Sequence, residues 1–341
     1  MKSYIAILTL VMASLAAHGQ SLVDHAMQEA ARQAIMEMVN SGGETGFSAV
    51  SVAVMDNGNG NVLTLLDLKM TTDGLQEVAD NDYRPYYHDG NTMAIMYLLL
   101  LESGVSPDEM HYTPCVYRDS ASRRIRILDH QVGDPCYMSL KVAMDRSDVV
   151  MVKALEKRFG KSMREFAYYL NMTGSWLGDT DQDWTIDDFS GQENDDWQAA
   201  DAFAPGEQST TLQMAAWMQA VANDGKMMTP RLDASDKQDV YMTMKAQESN
   251  IGLLKEALRD AVLVGCAKSA NSPMVPVSGM VNVTVDMTTR ERCAMFNGFI
   301  PGYTVTVNLV MRSGDANDAP AAIARNIIEW IANNRINNIH Q

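Results

Sequence analysis

Residues 89–109 read Asp-Gly-Asn-Thr-Met-Ala-Ile-Met-Tyr-Leu-Leu-Leu-Leu-Glu-Ser-Gly-Val-Ser-Pro-Asp-Glu. A polar start, Asp89-Gly90-Asn91-Thr92, runs directly into an unbroken apolar stretch, Met93–Leu101. A helix that is apolar on every side has no face to offer water, so it belongs inside a core. The stretch predicts a buried helix over Thr92–Ser103. By its own residue type Asn91 caps such a helix and Ala94 packs inside it.

Upstream, Leu22–Val39 has apolar residues at Ala26, Ala30, Ile35, Met36 and Val39, the period of an amphipathic helix. Ser48–Asp56 alternates and is β-branched, Asn57-Gly58-Asn59-Gly60 has hairpin-turn composition, and Asn61–Leu68 reads as the return strand. Thr71–Gly90 reads as polar loop. Downstream, Arg124–Leu128 is a short strand, and Met138–Arg158 is helical but broken near Asp145-Arg146-Ser147-Asp148. Ser162–Leu170, Thr210–Asn223 and Asn250–Val264 read as helices, with an acidic loop over Gly178–Asp201. Met280–Asp286, Glu291–Phe299 and Tyr303–Met311 read as three consecutive strands, and Ala319–Asn333 as a closing amphipathic helix. Strands at both ends around a helical middle predict an α+β domain, an antiparallel sheet flanked by helices with a helical lobe.

The chain has 341 residues, 46% of them hydrophobic, and a formal charge of −16. Nothing in so acidic a chain would neutralise phosphates, so nucleic-acid binding is excluded and the charge reads as solubility. Met1–Ala17 reads as a secretory signal: Lys2, a short apolar run over Tyr4–Leu15, and small residues at Ala17-His18-Gly19, leaving Gln20 or Ser21 as the new N-terminus. The run is shorter than the roughly 20 apolar residues of a membrane span; an uncleaved anchor is the alternative. The expected organisation is a signal peptide over 1–19 and a single domain over 20–341, exported to the periplasm, with no integral membrane segment after cleavage. In that compartment Cys115, Cys136, Cys266 and Cys293 allow two disulfides in three connectivities. Cys115 and Cys136 flank a short polar excursion and are the preferred pair; closing a loop of about 20 residues would contribute roughly 3 kcal/mol. The 26 methionines are scattered through apolar patterns and read as core filling.

Several segments resemble the penicillin-binding-protein transpeptidase domain, in register and in order. Ser21–Ile35 resembles the helix that opens that domain, and Ser48–Leu65 its first hairpin. Residues 89–109 resemble the helix that carries the nucleophile, and Met144–Gly160 the helix of the second motif. Ser209–Leu232 resembles the long helix and exit loop that follow. Val275–Thr284 and Ala294–Met311 resemble the third-motif strand and the two strands after it. The resemblance covers about residues 21–335 and implies the α+β fold shared with the serine β-lactamases. Ordered pieces speak for a fold more strongly than for an activity.

The reactive motifs do not survive the comparison. The resemblance puts a serine nucleophile at Asn91 and a lysine base one helical turn later at Ala94; an amide is no acyl nucleophile and an alanine takes no proton. Ser-x-Asn in the second motif becomes Arg146-Ser147-Asp148. Lys-Thr-Gly in the third becomes Val277-Ser278-Gly279, retaining a hydroxyl and the glycine. A rival register, Lys268-Ser269-Ala270, leaves too long a gap before the next strand. Arg146 and Asp148 read either as a solvated ion pair or as a replacement for the lost cation, with Arg146 offered to a ligand carboxylate. Arg146, Ser278, Gly279 and Met280 are then the candidate ligand-binding residues.

Asp179–Asp187 has Asp-x-Asp-x-Asp spacing, but Trp184 replaces the expected glycine and Ser190 the closing glutamate, so a solvated loop is expected rather than calcium. His18, His25, His88, His111, His130 and His340 form no spaced ligand set, and no metal or cofactor is expected. The reading is an exported pseudoenzyme that binds cell-wall stem peptide or a peptidoglycan-synthesis protein. Its rivals are an active D,D-transpeptidase or carboxypeptidase with substituted motifs, and an acidic scaffold that does not use the groove.

Overall fold

A computed structural model describes residues 20–41, 46–78, 86–87, 92–113, 116–118, 124–127, 136–146, 208–286, 292–311 and 318–337. The signal-peptide reading, the helix over 162–170 and the acidic loop over 178–201 lie outside the described residues.

Helix α1, His25–Ser41, starts where the Asp24 carboxylate accepts the Ala26 and Met27 N–H groups. Strands β1, Phe47–Asp56, and β2, Val62–Thr71, form the expected hairpin. Asp56 Oδ1 accepts from the Gly58 and Asn59 N–H groups in its turn, and Gly60 runs at φ +76°, where an added Cβ would lie 2.3 Å from the Thr229 carbonyl. There follow β3, Gly74–Glu77; β4, Tyr86–Tyr87; helix α2, Thr92–Glu102; β5, Met110–Thr113; β6, Val116–Arg118; β7, Arg124–Ile127; and β8, Cys136–Ser139. Helix α3, Leu140–Arg146, precedes β9, Gln208–Ser209, and α4, Thr211–Ala222. After β10, Lys226–Met228, and β11, Val240–Thr243, come α5, Glu248–Leu263, then β12, Ser278–Asp286, β13, Arg292–Ile300, β14, Tyr303–Met311, and α6, Ala319–Ile331.

The described strands build an eight-stranded antiparallel sheet in the order β3-β2-β1-β14-β13-β12-β7-β6. Alternation along β1 sends Val50, Val52 and Val54 into a core shared with α1 and α6, and Ala53 and Met55 into a second core shared with α2, α4 and α5. Every residue of α2 from Met93 to Leu101 is buried, as its composition requires. The methionines divide unevenly: Met55, Met93, Met96, Met138, Met144, Met218, Met227, Met244 and Met280 fill the core around α2, whereas the α1–α6 core holds Met27 and Met311. A flexible thioether fits irregular gaps between helices, while β-branched side chains suit a sheet face.

Two local expectations need correction. The loop read over Thr71–Gly90 contains strand β3, which pairs with β2 from Thr71↔Gly74 to Leu68↔Glu77. Its polar composition is that of a guarded sheet edge: Glu77 engages Arg32 and Gln28 of α1. The helix read from Met138 begins at Leu140, because Met138 and Ser139 pair with His111 and Met110.

Helix α4 is capped by Thr210 and Gln213 in a reciprocal box. Helix α5 has no such residue, since Gln247 makes no side-chain cap. Its cap comes from α2: Glu102 Oε1 accepts the Gln247 N–H at 2.7 Å and Asn250 Nδ2 at 2.8 Å. Glu102→Ala is expected to cost about 1–2 kcal/mol, as loss of a charged cap does, and Glu102→Gln to recover part of it. Urea denaturation measures both; an unchanged midpoint for Glu102→Ala would show the cap to be energetically idle.

Candidate functional site

The described motif positions lie on three elements: α2, the end of α3 and the head of β12. Ala94 is fully buried in the same apolar cluster as Ala143 and Met144 of α3, Leu254 and Leu258 of α5, and Met280 of β12. Arg146 closes α3; Asn91, Ser147 and Asp148 lie outside the described residues. Lys268-Ser269-Ala270 forms a 3₁₀ turn outside the sheet, whereas Ser278-Gly279 opens β12.

The strand sorts the third-motif residues onto two faces. Val277 and Val281 are buried in the α1–α6 core, and Met280 in the α2 core. Ser278 is half-buried. Gly279 has no room for a side chain: an added Cβ would stand 2.7 Å from Phe296 Cζ, 2.8 Å from Gly298 Cα and 2.9 Å from the Asn297 carbonyl oxygen. Its neighbour across the ladder is Gly298.

Main-chain directions follow from the turn at Pro301-Gly302. A two-residue hairpin makes Ile300 and Tyr303 a hydrogen-bonded pair, so even-numbered residues of β13 bond to β14 and odd-numbered ones to β12. The register Phe299↔Ser278 and Asn297↔Met280 then turns the peptide groups of Ser278, Met280 and Asn282 toward β13. Those of Gly279, Val281 and Val283 point to the outer edge, where β7 takes over at Val285↔Ile125. At this edge Arg259 Nη1 donates to the Val277 carbonyl at 2.6 Å. Cys266 donates its N–H to the Asp145 carbonyl at 2.6 Å, one residue before Arg146. Burial pushes the Cys266 thiol up to about 11, against the pull of the Val281 N–H directed at its sulfur.

The sequence profile of the penicillin binding protein transpeptidase domain matches residues 50–329, most of the chain. The chain belongs to that family. No curated protein matches it. Among solved structures it is similar to a peptidoglycan glycosyltransferase from Burkholderia ambifaria, at 16% identity and TM-score 0.67, covering 93% of this chain and 98% of the other. The apo transpeptidase domain of penicillin-binding protein 3 from Burkholderia pseudomallei gives 14% identity and TM-score 0.69, covering 93% and 96%. Penicillin-binding protein 3 from Mycobacterium tuberculosis, complexed with aztreonam, gives 19% identity and TM-score 0.68, covering 91% and 78%. These likenesses concern the fold.

Tyr97, three residues after Ala94 on α2, is buried in the same cluster. Burial, then the charges of Asp145, Asp108, Glu256 and Asp260, hold its phenol far above the ordinary tyrosine range, so it stays neutral and supplies no phenolate. Lys141 is engaged by Asp260 at 2.6 Å, tying α3 to α5; that hydrogen bond raises its ammonium further above the ordinary lysine range. Buried amides fix α4 on the sheet: Asn297 Nδ2 donates to the Met214 carbonyl, Gln219 Nε2 donates to the Asn57 carbonyl, and Thr306 Oγ1 donates to Asn297 Oδ1.

Among the described residues no group of three or more His, Cys, Asp or Glu is placed to hold a metal, and no helix is long and apolar enough to cross a membrane. Cys266 and Cys293 are not in a disulfide, which corrects the second of the two allowed bonds; Cys293 Sγ donates to Asn308 Oδ1. The Cys115–Cys136 bond falls outside the described residues, although Cys136 itself stands opposite Thr113. Arg259 and Cys266 are the site residues that sequence reasoning missed. Each engages main chain, which any residue presents, so no pairing of side-chain types announces them.

Proposed function

We propose that this chain is a non-catalytic member of the transpeptidase family, exported, and employed in peptidoglycan assembly as a binding domain for stem peptide or for a synthesis protein. The observation that carries this reading is Ala94. At the position that the family resemblance gives to the lysine base, a methyl group is sealed in an apolar cluster with Met144 and Met280. No side chain there can take a proton, and Asn91, three residues earlier in the sequence, has no hydroxyl to lose. Removing a nucleophile and its base lowers such rates by several orders of magnitude. The neutral Tyr97 offers no substitute.

The test is intact-mass analysis of the mature protein after prolonged incubation with a β-lactam, beside an active penicillin-binding transpeptidase as positive control. No mass shift is expected. A stoichiometric adduct would make the active-enzyme alternative correct. Calorimetric titration with stem-peptide fragments then separates peptide binding from the scaffold reading, in which no fragment binds.

A further inference from the structure

Gln20, Ser21 and Leu22 run as a short strap against the loop that follows β10. The Gln20 carbonyl accepts the Ala234 N–H at 2.8 Å, Ser21 stands opposite Asp233 in an antiparallel bridge, and the Leu22 N–H donates to the Leu232 carbonyl at 2.9 Å. The side chains of Gln20 and Ser21 are exposed, so main chain alone holds the strap. The loop that receives it is itself fixed to the β1–β2 hairpin. Arg231 is only 9% exposed; its Nη1 donates to Asn61 Oδ1 at 3.1 Å and its Nη2 to the Ala234 carbonyl at 3.1 Å. Its N–H donates to the Gly60 carbonyl, and its carbonyl accepts the Val62 N–H. At the far end of the strap the Asp24 N–H donates to the Leu63 carbonyl at 2.8 Å, and α1 begins. The chain from Gln20 onward is therefore part of the fold.

The strap separates the two bonds at which export processing could cut. The carbonyl that receives the Ala234 N–H belongs to the Gln20–Ser21 peptide bond. A cut there removes Gln20 and leaves the Ala234 N–H without its acceptor. A cut at Gly19–Gln20 leaves all three strap contacts intact. Side-chain size points the same way. A signal peptidase reads small residues at the first and third positions before the bond. Gly19 and Ala17 hold those positions for Gly19–Gln20, whereas Gln20 and His18 hold them for Gln20–Ser21. We propose that Gly19–Gln20 is the processing site and that Gln20 is retained as a structural residue, the first of the mature chain. Water adds across that amide: its hydroxyl goes to the Gly19 carbonyl carbon, and the Gln20 nitrogen takes the proton and leaves as the new α-amine. The proposal rests on the exported reading; it is independent of peptide binding and of inactivity.

The full chain, expressed with residues 1–19 in a Gram-negative host, tests it by intact mass and N-terminal peptide mapping of the periplasmic fraction. The expected mature chain begins at Gln20, as free glutamine or as its cyclised lactam, lighter by one ammonia. A periplasmic chain that begins at Ser21, or that keeps Met1, overturns the proposal and leaves the exported reading standing. A chain found only in the cytoplasm, uncut, overturns both. The structural half is read by residue-resolved amide hydrogen exchange on purified chains that begin at Gln20 and at Ser21. The Ala234 amide should exchange about tenfold faster or more in the chain that lacks Gln20, because its acceptor is gone. Val62, bonded to the Arg231 carbonyl, should keep its rate in both. Equal Ala234 rates in the two chains would show that Gln20 holds nothing, and the reason for retaining it would fall.

Discussion

Ala94→Lys is expected to lower stability by about 3–5 kcal/mol and to restore no acylation, even when combined with Asn91→Ser. Position 94 is fully buried, and the side chains in its cluster are those of Met93, Leu98, Met144, Leu254 and Met280. A lysine there adds three methylenes and an ammonium to a packed apolar core, so overpacking and desolvation act in the same direction. A buried ammonium escapes part of that cost by losing its proton, which moves its pKa down. That shift alone does not make a catalyst, because the second and third motifs still lack their amide and cation at Asp148 and Val277. Urea denaturation reads the stability, and intact mass after β-lactam incubation reads the chemistry. A double variant that unfolds at the wild-type midpoint and acylates rapidly would show that the site retains more of its function than Ala94 and Val277 indicate.

The same residues show where sequence reading succeeds. Met93–Leu101 could only be buried, because no rotation of an all-apolar helix finds water. The strands now assigned to β1, β2, β12, β13 and β14 were legible from alternation and β-branching, and lie within a few residues of their observed limits. Strands β3, β5, β6 and β8 escaped because segments of three or four residues acquire strand character from their partners rather than from themselves. At the site, the family frame located α2, α3 and β12. It could not foretell that Val277 and Met280 would pack into opposite cores, since that depends on which face of the sheet each register position presents. The clamp from Arg259 was invisible for another reason: arginine within an amphipathic helix reads as solvated, and its acceptor is a backbone carbonyl 18 residues away in sequence.

Gly279→Ala is expected to destabilise the protein by about 2–4 kcal/mol, and Gly298→Ala by a similar amount. Gly279 could be taken for a remnant of the ligand groove, yet its absent side chain points into the α1–α6 core beside Phe296. An added methyl meets Gly298 Cα at 2.8 Å and the Asn297 carbonyl oxygen at 2.9 Å, both backbone atoms fixed by the β12–β13 ladder. At Gly298 the obstruction is the Ser278 carbonyl oxygen at 2.5 Å. Shortening Phe296 to leucine removes the ring that lies over both glycines, so Gly279→Ala in a Phe296→Leu background should recover only the part of the cost that the ring imposes. Gly252 supplies the contrast. It lies within α5 with nothing inside 4 Å of an added Cβ, so Gly252→Ala should stabilise the protein by about 0.5–1 kcal/mol through helix propensity. Denaturation midpoints for these variants form one series with a predicted change of sign. If Gly279→Ala unfolds at the wild-type midpoint, the two strands are further apart than the ladder places them, and the glycine owes its place to the groove instead of the core.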